Sequence, residues 1–171
     1  MIGRPERHEA AEFHWNYINQ VEGDDPLAAL LNQLPQFEEL LGELSEERSL
    51  HRYAPGKWSI RESMSHVTDT ERIFAGRALW FARGLNDPLP SFDQDVSVAG
   101  ADADRVRLAD HLEDFRQVRL STLTLYRNLP PDAWMRSGTA SGKSFTVRAM
   151  AFLLAGHAEH HLTLFHEKYL A

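Results

Sequence analysis

Apolar side chains recur at intervals of three and four residues along four long stretches, and each stretch predicts one amphipathic helix. The first carries Leu27, Leu30, Leu31, Leu34, Phe37, Leu40, Leu41 and Leu44. It follows Asp25-Pro26, a sequence suited to a helix start, and Pro35 is expected to bend it or reset its start. The second carries Ile60, Met64, Val67, Phe74, Ala78 and Phe81. Ser59 and Glu62 have the spacing of a capping box at its start, and Gly84 is placed to stop it after about Arg83. The third spans residues 104–129, with Leu108, Leu112, Phe115, Leu123, Tyr126 and Leu129 inward and Pro130-Pro131 at its end. The fourth spans residues 145–169, with Met150, Leu153, Leu154, Leu164 and Phe165 on one stripe. Strand-like alternation is confined to a short piece near 136–146.

Four such helices in one chain of 171 residues predict an all-α, single-domain four-helix bundle. Residues 1–25 read as an extended arm lying on it. The connection between the second and third helices, residues 84–104, is rich in Pro, Gly and Asp and long for a bundle, where links commonly run about 2–8 residues. It is either a crossover or a loop over a site, and Phe92 and the run Asp93-Gln-Asp95 would supply its apolar and polar contacts. Trp80 lies outside the inward stripe of its helix, and surplus apolar surface of that kind predicts a homodimer.

The fourth helix places His157 and His161 near the centre of its apolar stripe. A buried imidazole needs partners for both ring nitrogens. One alternative is a pair of hydrogen-bonded interior histidines. The other is a metal site, because side chains at i and i+4 point the same way and can share an ion. His66, on the second helix, supplies a third ligand. Both His66 and His161 lie some 10–12 Å from one end of their helices, at about 1.5 Å per residue. If the two helices are antiparallel neighbours, the three rings meet at one level. Three nitrogen ligands leave a coordination position open, as catalytic sites do. Zn²⁺ and Ni²⁺ suit such a set.

His160 points further round, as a neighbour of the site or a surface group. Asp69 and Glu159 are either ring-orienting carboxylates or ordinary solvated ones. His8, His14, His51, His111 and His166 show no convergence and read as surface or structural groups.

Composition narrows the chemistry. The chain has no cysteine, so thiolate ligands, disulfides and a cysteine nucleophile are excluded, and thiol chemistry would require an external thiol. With 18 basic and 25 acidic side chains the formal charge is −7. The basic residues are scattered, so no face is suited to nucleic acid. No apolar run approaches the roughly 20 residues that span a bilayer, and the N-terminus lacks a signal-peptide core. The expectation is a cytoplasmic protein with no membrane partner.

Three segments carry a resemblance: Tyr53-Ala-Pro-Gly-Lys-Trp-Ser-Ile-Arg-Glu62, His66-Val-Thr-Asp-Thr-Glu-Arg-Ile-Phe74 and Ala155-Gly-His-Ala-Glu-His-His-Leu162. Together they resemble the DinB-like superfamily of four-helix metal-binding proteins. Residues 83–95 and 138–142 are similar to one of its subgroups. The family pattern has one metal-binding histidine on the second helix and a pair four apart on the fourth, which His66, His157 and His161 match. The resemblance implies kinship with bacillithiol S-transferases and mycothiol-dependent maleylpyruvate isomerase, in which a bound metal activates a low-molecular-weight thiol.

The expected function is therefore a metal-dependent enzyme acting on a small molecule through an activated thiol or water. The alternatives are a non-catalytic stress-related bundle stabilised by its ion and a plain helical dimer. Arg116 and Arg119, on the third helix, are either attractors for an anionic thiol or part of a solvated face.

Overall fold

The structure is a computed structural model and describes residues 2–171. Four long helices form its frame: α2 (Pro26–Leu41), α4 (Ile60–Ala82), α6 (Leu108–Arg127) and α7 (Val147–Leu164). Shorter elements join them: α1 (Trp15–Ile18), α3 (Glu46–Ser49), α5 (Gln94–Ala101) and an antiparallel hairpin of β1 (Ser137–Ala140) and β2 (Lys143–Thr146). The fold is all-α apart from that hairpin. No described helix is long and apolar enough to cross a membrane.

The long helices start and stop where their capping chemistry dictates. The Asp25 carboxylate accepts from the amides of Leu27 and Ala28 ahead of α2. Ser59 and Glu62 form a reciprocal capping box on α4. Past α4, Gly84 takes a positive φ of 77°, which glycine adopts without steric penalty. Thr146 caps α7 through the Ala149 amide. Pro35 neither ends nor restarts its helix, and α2 runs through it. The last residues of the fourth stretch wind into a π-turn, Phe165–Tyr169, rather than continuing α7.

α4 packs on α6 and α7, and α2 packs on the same two, so α2 and α4 lie diagonally. α1 adds a third neighbour to α7. That enclosure explains why α7 is buried nearly all round, although its sequence suggests a single inward stripe. α4 and α7 run antiparallel. The Ser63 and Tyr169 hydroxyls hydrogen-bond near one end, His66 meets His157 further along, and Phe74 meets Phe145 near the other end.

Three expectations are corrected. The expected arm, residues 1–25, is not extended over its described part: residues 2–25 fold into two 3₁₀ turns and α1, and bury Trp15, Ile18 and Val21. The turns are anchored by Arg148 on Glu9 and by Arg4 on the carbonyls of Ile18 and Val21. The 84–104 connection holds a helix, α5, capped by the Asp93 carboxylate. Trp80 is not an exposed surplus aromatic but packs partly against the core.

The fourth correction concerns Arg119, which is fully buried rather than solvated. Its guanidinium binds the buried Glu71 carboxylate of α4 at 2.7–2.9 Å and donates to the Leu30 carbonyl and the Gln33 side chain of α2. Gln33 in turn donates to the Ala155 carbonyl and the Glu159 carboxylate of α7. All four long helices are thus tied at one level. This polar layer separates two apolar clusters. One contains Phe81, Leu123, Phe145 and Leu153, and the other Phe37, Met64, Phe115 and Phe165. Arg116, by contrast, is exposed beside Glu113.

Removing one member of a buried ion pair leaves the other charge desolvated and unmatched, at a loss of about 3–5 kcal/mol. Arg119→Met should therefore lower the unfolding free energy by about that amount in urea titrations. The double variant Arg119→Met/Glu71→Leu should recover most of it. A single variant within about 1 kcal/mol of the parent would contradict the role given to this pair.

Candidate metal centre

His66 projects from the first half of α4, and His157 and His161 from consecutive turns of α7, just beyond the polar layer. One nitrogen from each ring lies within 4.8 Å of the others. The Nε2 atoms of His66 and His157 are 3.1 Å apart. Two nitrogens bound to one tetrahedral ion at about 2.0–2.1 Å stand about 3.3 Å apart, so this spacing fits a shared cation. His157 meets His66 and His161 edge to face and His66 tilts against His161, with centroids 4.7–5.2 Å apart.

Close packing makes these rings poor sites for protons. Burial pushes the His66 imidazole down to about 4, with nearby His160 adding to the effect. His157 and His161 are lowered well below the usual histidine range by burial first, and then by neighbouring histidines. All three are neutral at physiological pH, the form that binds metal. The buried Nδ1 atoms of His66 and His161 have no hydrogen-bond partner among the described residues. The donor set therefore suits a borderline cation such as Zn²⁺ or Ni²⁺.

Neither suggested orienting carboxylate serves these rings. Asp69 meets Arg72 and Ser97, and Glu159 accepts from Gln33. His160 stands beside the triad, half-buried, against Tyr17. His111 is buried on the Ala103 carbonyl, a structural role.

Two cavities meet at the triad. One, about 200 Å³, is mainly apolar and includes Phe74, Phe92, Phe145 and Leu153 in its wall. The other, about 290 Å³, is more polar and includes Lys57, Asp95, Tyr53 and His160. His66, His157, Tyr17 and Gln94 border both. The 84–104 connection therefore does line the site, through Phe92, Gln94 and Asp95.

Sequence reasoning missed several of these residues. Tyr17 comes from the supposed arm, and Gly156 lets it approach: a Cβ there would stand 2.0 Å from the Tyr17 carbonyl oxygen. The Tyr17 ring lies 5.6 Å from that of His157, and burial raises its pKa, so its phenol stays protonated. Trp58 covers His66 at 4.8 Å. His14, read as a surface or structural group, borders the apolar cavity against Phe145. No pattern in the sequence points to Tyr17 or His14. Trp58 at least lies inside a quoted motif.

The lowered histidines link stability to pH. The unfolded chain binds protons below about 6.5, whereas the folded His66 resists them until about 4. Their contribution is therefore full above about pH 6.5 and is lost as pH falls toward 4. Each depressed histidine adds at most about 1.4 kcal/mol per pH unit to that loss. The metal-free protein should lose unfolding free energy between pH 7 and 5, and His66→Gln should flatten the slope. Equal slopes in denaturant titrations of both proteins would contradict this.

Comparison with known proteins agrees with this architecture. The family model of the DinB superfamily matches residues 29–165, a span containing all three histidines. Among solved structures, YfiT from Bacillus subtilis, described as a probable metal-dependent hydrolase with an unusual four-helix bundle topology, is similar. Its TM-score is 0.74 at 14% identity, over 86% of this chain and 89% of that one. The mycothiol-dependent maleylpyruvate isomerase is similar with a TM-score of 0.68 at 13% identity, over 81% of this chain and 58% of that one. At these identities the two likenesses show the fold. No curated protein matches the sequence. The family match covers most of the chain, and the chain therefore belongs to the DinB superfamily.

Proposed function

We propose that the protein is a metal-dependent enzyme in which His66, His157 and His161 hold one divalent cation, Zn²⁺ or Ni²⁺, that activates a low-molecular-weight thiol or water. The observation that carries this reading is the convergence of three neutral imidazoles at the junction of two cavities. Such a cation, when bound, lowers the pKa of a coordinated thiol or water and so supplies a nucleophile at neutral pH.

The chain's own residues divide the remaining work. The two cavities give separate room to a nucleophile and to its electrophile. Lys57 and His160 border the polar cavity, where a hydrophilic thiol or water would enter. The apolar cavity would receive the electrophile, held away from bulk solvent by Phe74, Phe92 and Phe145. Tyr17 and Gln94 border both and can donate hydrogen bonds to a group at the junction. The absence of cysteine in the chain suits an external thiol, in an S-transferase-like reaction.

The competing reading, a structural ion in a non-catalytic bundle, requires a closed coordination shell. Cobalt-substituted protein purified without a histidine tag separates the two. Millimolar small thiols should change its visible spectrum, as sulfur enters the coordination shell. His157→Ala should bind at least about tenfold less metal, since second-order support alone is worth about that much at such sites. A spectrum indifferent to thiols would contradict thiol activation. Full metal content in the variant would contradict the ligand set.

A further inference from the structure

The apolar cavity contains one charged group that the proposed chemistry does not use. Arg77 is 6% exposed and lies on α4, on the face that also carries His66, Thr70 and Phe74. These residues sit at helical spacings of four, four and three and line the cavity in succession. Helical side chains lean toward the N-terminus, and the Arg77 guanidinium lies over the Phe74 ring, 4.9 Å from its centroid. The cation is therefore turned along the cavity wall toward the histidines.

A buried guanidinium ordinarily has a carboxylate partner. Arg119 has Glu71, and Arg148 has Glu9. Arg77 has none: no described acidic side chain lies within 4 Å of it, and the cavity wall contains no Asp or Glu. Its hydrogen bonds, both from Nη2, reach only the Pro90 carbonyl at 2.8 Å and the Ser141 hydroxyl at 3.1 Å. The guanidinium fork thus retains donors for a ligand. The Thr70 hydroxyl and His14 Nδ1, in the same wall, are also buried without a partner. Burial lowers the Arg77 pKa, a measure of how little water compensates its charge.

We propose that this cavity binds a small apolar carboxylate, with Arg77 as the anion-binding residue that orients it toward the histidine cluster. The ligand class follows from the wall: aromatic side chains along the length, one unmatched cation at the side, and no anion. Its size follows from the volume. About 200 Å³ equals roughly seven waters at about 30 Å³ each. That admits a monocyclic aromatic or short branched acid. This inference rests on the proposed function for the meaning of the site, since the carboxylate would belong to the electrophilic substrate. Arg77 is then a specificity residue and not a participant in bond making.

The test uses benzoate and its neutral isostere benzamide as probes, titrated calorimetrically at pH 8 into metal-stripped and metal-loaded protein. Wild-type protein should prefer benzoate by about tenfold or more, the ordinary effect of a charge-assisted hydrogen bond, in both forms. Arg77→Gln should reduce the preference to within about threefold, whereas Arg77→Lys should keep most of it. A merely structural lesion would weaken both probes alike. In ¹⁵N-labelled wild-type protein the Arg77 Nε–H resonance should move with benzoate and not with benzamide, which holds even if the glutamine variant does not fold.

Equal affinities in the wild type, no binding of either probe, or an undiminished preference in Arg77→Gln would each overturn the proposal. A preference present only in metal-loaded protein would assign the anion to the ion and overturn it too. Failure to bind metal at all would instead defeat the reading of the histidines while leaving the result on stripped protein intact.

Discussion

The position of the candidate site depends on one buried cation, the guanidinium of Arg119. It joins α6 to Glu71 of α4 and to Leu30 and Gln33 of α2, and Gln33 extends the chain of hydrogen bonds to α7. A buried charge tolerates little displacement, because each lost hydrogen bond leaves a desolvated polar group. Apolar burial is non-directional, whereas hydrogen bonds to a buried charge are not. This network selects one register. Glu71 lies five residues beyond His66 on α4, and Ala155 and Glu159 bracket His157 on α7. Fixing those partners fixes the level at which the three imidazoles meet.

The enclosure of α7 supplies the chemical state of the site. Packed by α1, α2 and α4, it exposes little of its surface, so its histidines are desolvated and neutral. Neutral rings with converging nitrogens attract a cation where charged rings would repel one. Access survives because the chain near the triad is built of separate pieces. Tyr17 from α1, Gln94 from α5 and the neighbourhood of Ser141 in the hairpin each cover part of the opening. The same division leaves two cavities of different polarity on either side of the rings.

The frame was legible in the sequence because helical periodicity and capping are local. Ser59, Glu62, Gly84 and the inward stripes of the second and third helices lie as their pattern predicts, whereas the antiparallel meeting of His66 with His157 was legible only as a condition, because local pattern does not fix which helices are neighbours. What escaped detection is tertiary. The N-terminal turns have no sustained period, and their order comes from Arg4, Arg148 and the contact at Gly156. Arg119 reads as solvated if each arginine is assigned by type. Its position between Phe115 and Leu123 on the inward stripe, matched by Gln33 between Leu30 and Phe37 and Glu71 between Val67 and Phe74, carries the signal of a buried polar layer. Arg77 offers no comparable sign, since its importance lies in having no acidic partner.

The central claim is that three histidine nitrogens share one cation and leave room for a further ligand. X-ray absorption at the zinc edge of stoichiometrically loaded protein measures this directly. The account predicts three imidazole nitrogens at about 2.0–2.1 Å with one or more additional light atoms, and a sulfur scatterer at about 2.3 Å once a small thiol is added. A shell with fewer than three imidazoles, or one closed by a fourth protein ligand, would contradict it; a shell that keeps its water and stays free of sulfur at saturating thiol would leave water as the activated group.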